Sequence, residues 1–99
     1  MKVRIKFSCF DLDCDIQKLR YPVGNRLALV LNETDTGESF MIASVNLPHE
    51  QQEDNEVAIK DYSENEGIRQ CLEDLKIIGP IKWRSLTGPD RTTIHECLI

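Results

Sequence analysis

The stretch "SCFDLDCDI", residues 8–16, concentrates side chains that could bind a metal ion. Asp11, Asp13 and Asp15 stand at every second position, as the first ligands of a calcium loop do. Such a loop also requires a glycine at its sixth position and a bidentate glutamate at its twelfth. Counted from Asp11, those positions hold Ile16 and Pro22, so the pattern disfavours calcium and predicts aspartates that face solvent.

Zinc is the second metal that the residue types allow. A structural zinc site takes four Cys or His ligands, and Cys9, Cys14, His95 and Cys97 could supply them if the first and last strands were neighbours. No C-x-x-C motif is present, and cysteine is among the residue types most often buried in cores. Core packing is therefore the competing interpretation for each cysteine. We expect no cofactor, with structural zinc as the alternative.

Thiol catalysis is a further hypothesis, with Cys9 or Cys97 as nucleophile and a histidine as base. The chain has no phosphate-cradling glycine loop, no G-x-S-x-G and no H-E-x-x-H motif. We therefore expect a protein that is not an enzyme. Turnover that disappears when Cys9 or Cys97 is changed to Ser would identify a thiol- or metal-dependent enzyme instead.

The net charge of −5 is unevenly distributed along the chain. Residues 27–67 carry ten acidic side chains and one basic side chain, which disfavours direct binding to nucleic acid. An acidic surface suits a partner protein with a basic surface, because complementary charge steers encounter. The acidic residues assigned to partner binding are Asp35, Glu38, Glu50, Glu53, Asp54 and Glu56. The alternative is a solvated acidic surface that keeps the protein soluble.

Trp83 is a further candidate for contact with a partner. It stands between Lys82 and Arg84, and an exposed tryptophan flanked by cations could stack a nucleic-acid base or anchor a partner protein. In the alternative interpretation the ring is buried and only its neighbours face solvent.

Hydrophobic periodicity predicts the elements that must position these residues. Alternation predicts a first strand over 2–10. The apolar positions change parity near Cys9 and Phe10, which predicts a bulge or turn there. A hairpin is predicted for residues 27–31 and 40–47. Short strands are predicted over 57–59, 81–86 and 92–99. A capping box of Ser63 and Glu66 predicts a helix of about 14 residues, which Gly79 and Pro80 should end.

Together these elements predict one α+β domain over residues 1–99, with an antiparallel β-sheet of about five strands and one α-helix packed on one face. Charges at Lys2, Arg4 and Lys6 interrupt the apolar residues at the start, which is not typical of a signal peptide. No apolar run approaches the length of a membrane span. We therefore expect a cytoplasmic protein.

Three segments carry a resemblance to a known family: "VNLP" at 45–48, "KDYSENEGI" at 60–68 and "TGPDRTTIHECLI" at 87–99. They resemble a family of small uncharacterised proteins that conjugative elements and prophages of Firmicutes carry. The resemblance covers roughly residues 27–99, and "GPD" in the tail looks like an insertion relative to the family pattern. The family has no catalytic residues that could be carried over to this chain.

The resemblance implies a mobile-element protein of a bacterial host. In size and charge the chain is similar to phage-encoded anti-CRISPR proteins that inhibit Cas9. We therefore expect a non-enzymatic acidic protein that binds a basic host nuclease, concretely Cas9, and blocks access of DNA. The alternative is a maintenance or regulatory module that binds a protein of its own element and leaves nuclease cleavage unchanged.

Overall fold

The computed structural model describes residues 1–7, 10–48, 51–85 and 92–99. Its strands are β1 (Lys2–Phe7), β2 (Phe10–Arg20), β3 (Leu27–Glu33), β4 (Ser39–Ile42), β5 (Glu56–Lys60), β6 (Ile78–Arg84) and β7 (Thr92–Cys97). A short 3₁₀ helix spans Ser63–Asn65, and helix α1 spans Ile68–Asp74. All strand pairs are antiparallel, so the predicted α+β class with one α-helix is confirmed.

The strands form two sheets rather than the single sheet of about five strands that was predicted. One sheet has the order β1-β2-β3-β4 and the other the order β5-β7-β6. The chain changes sheets directly after β4: the Ala43 amide donates to the carbonyl of Leu29, whereas the Ala43 carbonyl accepts from the amide of Lys60. The Ser44 hydroxyl stabilises this corner, because it accepts from the amide of Leu29 at 3.0 Å.

The first two strands form a hairpin in which Phe7 lies opposite Phe10. The chain therefore reverses where the apolar positions change parity, as predicted. The connecting residues 8 and 9 lie outside the described part of the chain. The predicted hairpin of the third and fourth strands is confirmed, although β4 ends at Ile42 because the next residues turn toward β5.

Helix α1 begins later than the capping box predicted, and a different carboxylate caps it. Gly67 precedes the helix with a φ of 100°, a conformation that glycine adopts at low cost. The Asp61 carboxylate accepts from the amides of Gly67 at 2.9 Å and Arg69 at 3.2 Å. No side-chain hydrogen bond of Ser63 caps α1, so the predicted Ser63–Glu66 capping box is wrong.

The helix also ends earlier than predicted, at Asp74, and has seven residues. Lys76 follows with a φ of 61°, which turns the chain toward β6. Gly79 and Pro80 do not end the helix but lie within β6, where the register against β7 shifts between Ile78 and Ile81. Pro80 lacks an amide donor, and it is exposed on β6, which lies at the edge of its sheet in the described part of the chain, a place where a sheet tolerates proline.

One hydrophobic core lies between the two sheets and α1, which packs against β1, β5 and β6. Along β1 and the first half of β2 the side chains that face it alternate with more exposed residues, which is why the sequence shows a period-two pattern there, whereas β3, β5 and β7 are buried over consecutive residues. Fully buried members include Ile5, Leu29, Leu31, Val57, Ile59, Ile68, Leu72 and Ile77. In the described residues, no helix is long and apolar enough to cross a membrane.

Candidate functional site

The three aspartates of β2 form a row beside the basic row of β1. The register gives three cross-strand pairs: Lys2 with Asp15, Arg4 with Asp13, and Lys6 with Asp11. Arg4 reaches two of the carboxylates, with Nε 2.8 Å from Asp11 Oδ1 and Nη1 3.2 Å from Asp13 Oδ1. The hydrogen bond from Arg4 lowers the pKa of Asp11. Arg4 therefore offsets part of the negative charge of this row; Asp11 and Asp13 are exposed as predicted, and Asp15 is half-buried.

The structure describes three of the four candidate zinc ligands. Cys14 lies in β2, and His95 and Cys97 lie in β7, which belongs to the other sheet; all three are buried. Cys9 lies outside the described residues. In the part of the chain that the structure describes, no group of three or more His, Cys, Asp or Glu side chains could hold a metal ion. The zinc hypothesis, which needs Cys9, stays a prediction.

His95 has hydrogen bonds at both ring nitrogens. Nδ1 lies 2.8 Å from the carbonyl of Gly79, and Nε2 lies 2.7 Å from Oγ1 of Thr93. Because a carbonyl only accepts, Nδ1 donates, and in the neutral ring Nε2 accepts from the hydroxyl of Thr93. The side chain of His95 has 0% exposure, and this burial lowers the pKa of the imidazole. The geometry fits a neutral core histidine that a substrate cannot reach.

The predicted acidic residues do not form one continuous patch. Asp35 and Glu38 lie in the connection between β3 and β4, where the amide of Glu33 donates to the carbonyl of Glu38. Glu53 and Asp54 lie beyond the opposite end of β3, since Arg26 donates to the neighbouring carbonyl of Gln52 at 3.0 Å. Strand β3 separates the two groups by about 20 Å at about 3.3 Å per residue. Glu50 lies outside the described residues.

Three of the predicted partner-binding residues meet in one groove of about 570 Å³, which we call the Trp83 groove. It lies between the loop before β5 and strand β6. The residues that line it are Gln51, Gln52, Glu53, Glu56, Lys82 and Trp83. Glu53, Glu56 and Trp83 are separated by up to 30 positions in sequence, and the pairing of β5 and β6 with β7 brings them together.

An ion pair between Glu56 and Lys82 crosses the floor of the Trp83 groove. Lys82 Nζ lies 2.7 Å from Glu56 Oε2, although β7 lies between their two strands. The Glu56 side chain is 5% exposed and that of Lys82 45% exposed. Glu56 Oε1 accepts from the amide of Glu53 at 2.8 Å. Burial alone would raise the pKa of Glu56, but the hydrogen bonds from Lys82 and the Glu53 amide outweigh it and lower the pKa.

Trp83 shares the groove with its neighbour Lys82 because β6 is irregular there. Consecutive residues of a regular strand point to opposite faces. The register against β7 shifts between Ile81 and Trp83, and such a bulge breaks the alternation. Trp83 is half-buried against Ile94 and Ala58, so its ring is part of a small apolar cluster and also lines the groove.

Sequence reasoning placed Glu56 among exposed acidic residues, treated Lys82 only as a cation beside Trp83, and assigned no role to Gln52. Glu56 is instead a buried carboxylate that forms an ion pair with Lys82. A weak signal was available, since Glu56 directly precedes the apolar run at 57–59. The reach of Lys82 across β7 depends on the order of three strands and has no local signal in the sequence.

Comparisons with protein-family models, with curated proteins and with solved structures find no match to this chain. The proposed function therefore depends on the Trp83 groove and on the distribution of charge.

Proposed function

We propose that this chain is a non-enzymatic binding protein that docks onto the basic surface of a host protein through the Trp83 groove. The observation that carries the proposal is the groove itself, which combines a half-buried tryptophan with the carboxylates of Glu53 and Glu56. Tryptophan is enriched among the residues that dominate binding energy, and surrounding acidic charge selects for a basic partner.

Acidic charge outside the groove also favours a basic partner. Asp54 adds an exposed carboxylate beside Glu53, and Glu96 acts on Lys82 from the adjacent strand. The chain as a whole carries a net charge of −5, which attracts a basic protein over a longer range than the groove does. Such attraction speeds association and weakens as salt rises.

The concrete form of the proposal rests on the resemblance of residues 27–99 to mobile-element proteins. In that form the partner is a defence nuclease of the Cas9 type, and the chain acts in the cytoplasm of a bacterial host by blocking access of DNA. A nuclease that binds guide and target nucleic acids presents basic surfaces, which suit an acidic inhibitor. The alternative partner is a protein of the same mobile element.

The first experiment compares two pairs of charge reversals. Tagged wild-type chain, the Glu53→Lys/Asp54→Lys variant and the Asp35→Lys/Glu38→Lys variant are used to capture proteins from a bacterial host lysate at low and high salt. Both variants change net charge equally and alter exposed side chains, so the second is a matched control. Circular dichroism and thermal melting establish that each variant is folded.

We expect a basic protein in the wild-type and control captures, its loss at high salt, and its loss with Glu53→Lys/Asp54→Lys. The recovered protein is then purified and its affinity measured directly with all three chains. Equal affinity for the two variants contradicts docking at the groove. If the partner is a nuclease, inhibition of cleavage by the wild-type chain supports the anti-CRISPR form; a partner from the element itself supports the alternative.

A further inference from the structure

Among the described residues that line the Trp83 groove, hydrogen-bond acceptors outnumber the donors that Lys82 supplies. Gln52 donates through Nε2 to the backbone carbonyl of Glu56 at 3.0 Å. Because a carbonyl cannot donate, this bond fixes the orientation of the amide and leaves Oε1 as an acceptor. Gln52 Oε1 is buried and has no hydrogen-bond partner among the described residues. A buried acceptor is stabilised when it pairs with a donor, so Gln52 Oε1 can accept a hydrogen bond from a ligand in the groove.

The carboxylates of the groove also keep acceptor capacity. Lys82 contacts one oxygen of Glu56, and the amide of Glu53 contacts the other, whereas a carboxylate can accept about four hydrogen bonds. The side chain of Glu53 is exposed at the rim of the groove. Lys82 is a compact cation on a flexible stem and is nearly half exposed, so it can move into solvent when another cation arrives.

Trp83 supplies a flat aromatic surface beside these acceptors. The side chain of Trp83 packs against the cluster of Leu47, Ala58 and Ile94 and also lines the groove. An aromatic face attracts cations, and tryptophan does so most strongly; a planar guanidinium can stack on it while its N–H groups donate in the ring plane. An ammonium group has three donors and no flat face.

We propose that the Trp83 groove binds the guanidinium of an arginine side chain from the partner protein. The guanidinium stacks on Trp83, donates to the carboxylates of Glu53 and Glu56 and displaces Lys82 toward solvent, and Gln52 Oε1 takes one of the remaining donors. This inference rests on the proposed function, since the basic surface of the partner supplies the arginine. It goes further by naming the side chain that the groove selects.

The test uses the single tryptophan of the chain as the reporter. Acetylated, amidated tetra-arginine is titrated while tryptophan fluorescence is recorded, and tetra-lysine and tetra-citrulline serve as charge-matched and shape-matched comparisons. We expect tetra-arginine to bind at least about tenfold more tightly than tetra-lysine, because only a guanidinium both stacks and donates from a fixed fork. Tetra-citrulline, which lacks the charge, should not bind measurably.

Two variants locate the binding. Glu53→Gln should weaken tetra-arginine binding, while the double control Asp35→Asn/Glu38→Asn, which removes charge at the far end of β3, should leave it unchanged. Both variants alter exposed side chains and should fold. Equal affinities for arginine and lysine peptides, or equal effects of the two variants, would overturn the inference.

The outcomes also separate this inference from the proposed function. If the host partner is captured through Glu53 and Asp54 but arginine and lysine peptides bind alike, docking stands and guanidinium selection fails. If tetra-arginine binds selectively but no protein is captured through the groove, the selectivity of the groove for a guanidinium stands, whereas docking onto a partner protein, and with it the assignment of the guanidinium to that partner, fails.

Discussion

The buried His95 makes the stability of the protein depend on pH in a range where carboxylates scarcely titrate. The imidazole is fully buried, with its two nitrogens bonded to Gly79 and Thr93. A proton added at Nε2 would face the hydroxyl of Thr93, which would have to turn and accept. Burial lowers the pKa of the ring and outweighs the hydrogen bond to the Gly79 carbonyl and the carboxylates of Glu73 and Asp61, which raise it, while the guanidinium of Arg69 lowers it further.

The direction in which stability changes with pH follows from the lowered pKa of His95. An unfolded chain takes up a proton at this histidine below its ordinary pKa of 6.5, whereas the folded chain resists it. The contribution of neutral His95 to the free energy of unfolding is therefore fully present above pH 6.5. It is lost as the pH falls from 6.5 toward the lower pKa that His95 has in the folded chain. Within that pH window the free energy of unfolding changes by at most about 1.4 kcal/mol per pH unit, because one proton is involved.

Urea denaturation across this pH range measures how the free energy of unfolding depends on pH in the wild type and in two histidine variants. The chain has two histidines, so His49→Gln is the matched control for His95→Gln. Wild type and His49→Gln should both lose stability on acidification. His95→Gln should be less stable near neutral pH by about 1–3 kcal/mol, since buried groups lose a partner, but its stability should change little with pH in this window. A pH slope that survives in His95→Gln and disappears in His49→Gln refutes the reasoning.

Two further predictions concern the helix cap and the paired rows of charge. Asp61→Ala should lower the free energy of unfolding by about 1 kcal/mol, because the amides of Gly67 and Arg69 lose their acceptor. Asp61→Asn keeps a side-chain oxygen, so it should lower the free energy of unfolding by less; urea denaturation measures both variants. Arg4→Gln should lower the melting temperature only at low salt, because its pairs with carboxylates are exposed and salt screens them. A melting difference that persists in about 1 M salt, where the screening length is about 3 Å, contradicts that account.

Several strands were predictable because their evidence is local, although no strand was predicted for the residues of β2. Val3, Ile5 and Phe7 alternate with charged residues, and the change of parity after them marks the reversal into β2. The helix boundaries were not predictable from the same kind of pattern. Ser63 has a φ of 57° and belongs to a separate 3₁₀ turn, while the cap comes from Asp61, a residue outside the local motif.

The candidate site was predictable in its residue types but not in its grouping. The run of acidic residues from 27 to 67 indicated a partner of opposite charge, yet β3 places Asp35 and Glu53 at opposite ends of a sheet. The Trp83 groove depends on the strand order β5-β7-β6 and on a bulge that turns Lys82 and Trp83 to one face. Neither feature has a signature in a single sequence.

The facing rows of β1 and β2 give one surface of the molecule a zwitterionic character. Lys2, Arg4 and Lys6 stand opposite three aspartates, so this surface is highly charged and yet has no net charge. A polyanion and a polycation would each meet as much repulsion as attraction there, and water would have to leave both kinds of ion. Such a surface resists nonspecific adsorption, and a charged partner is left to approach the molecule from its other sides.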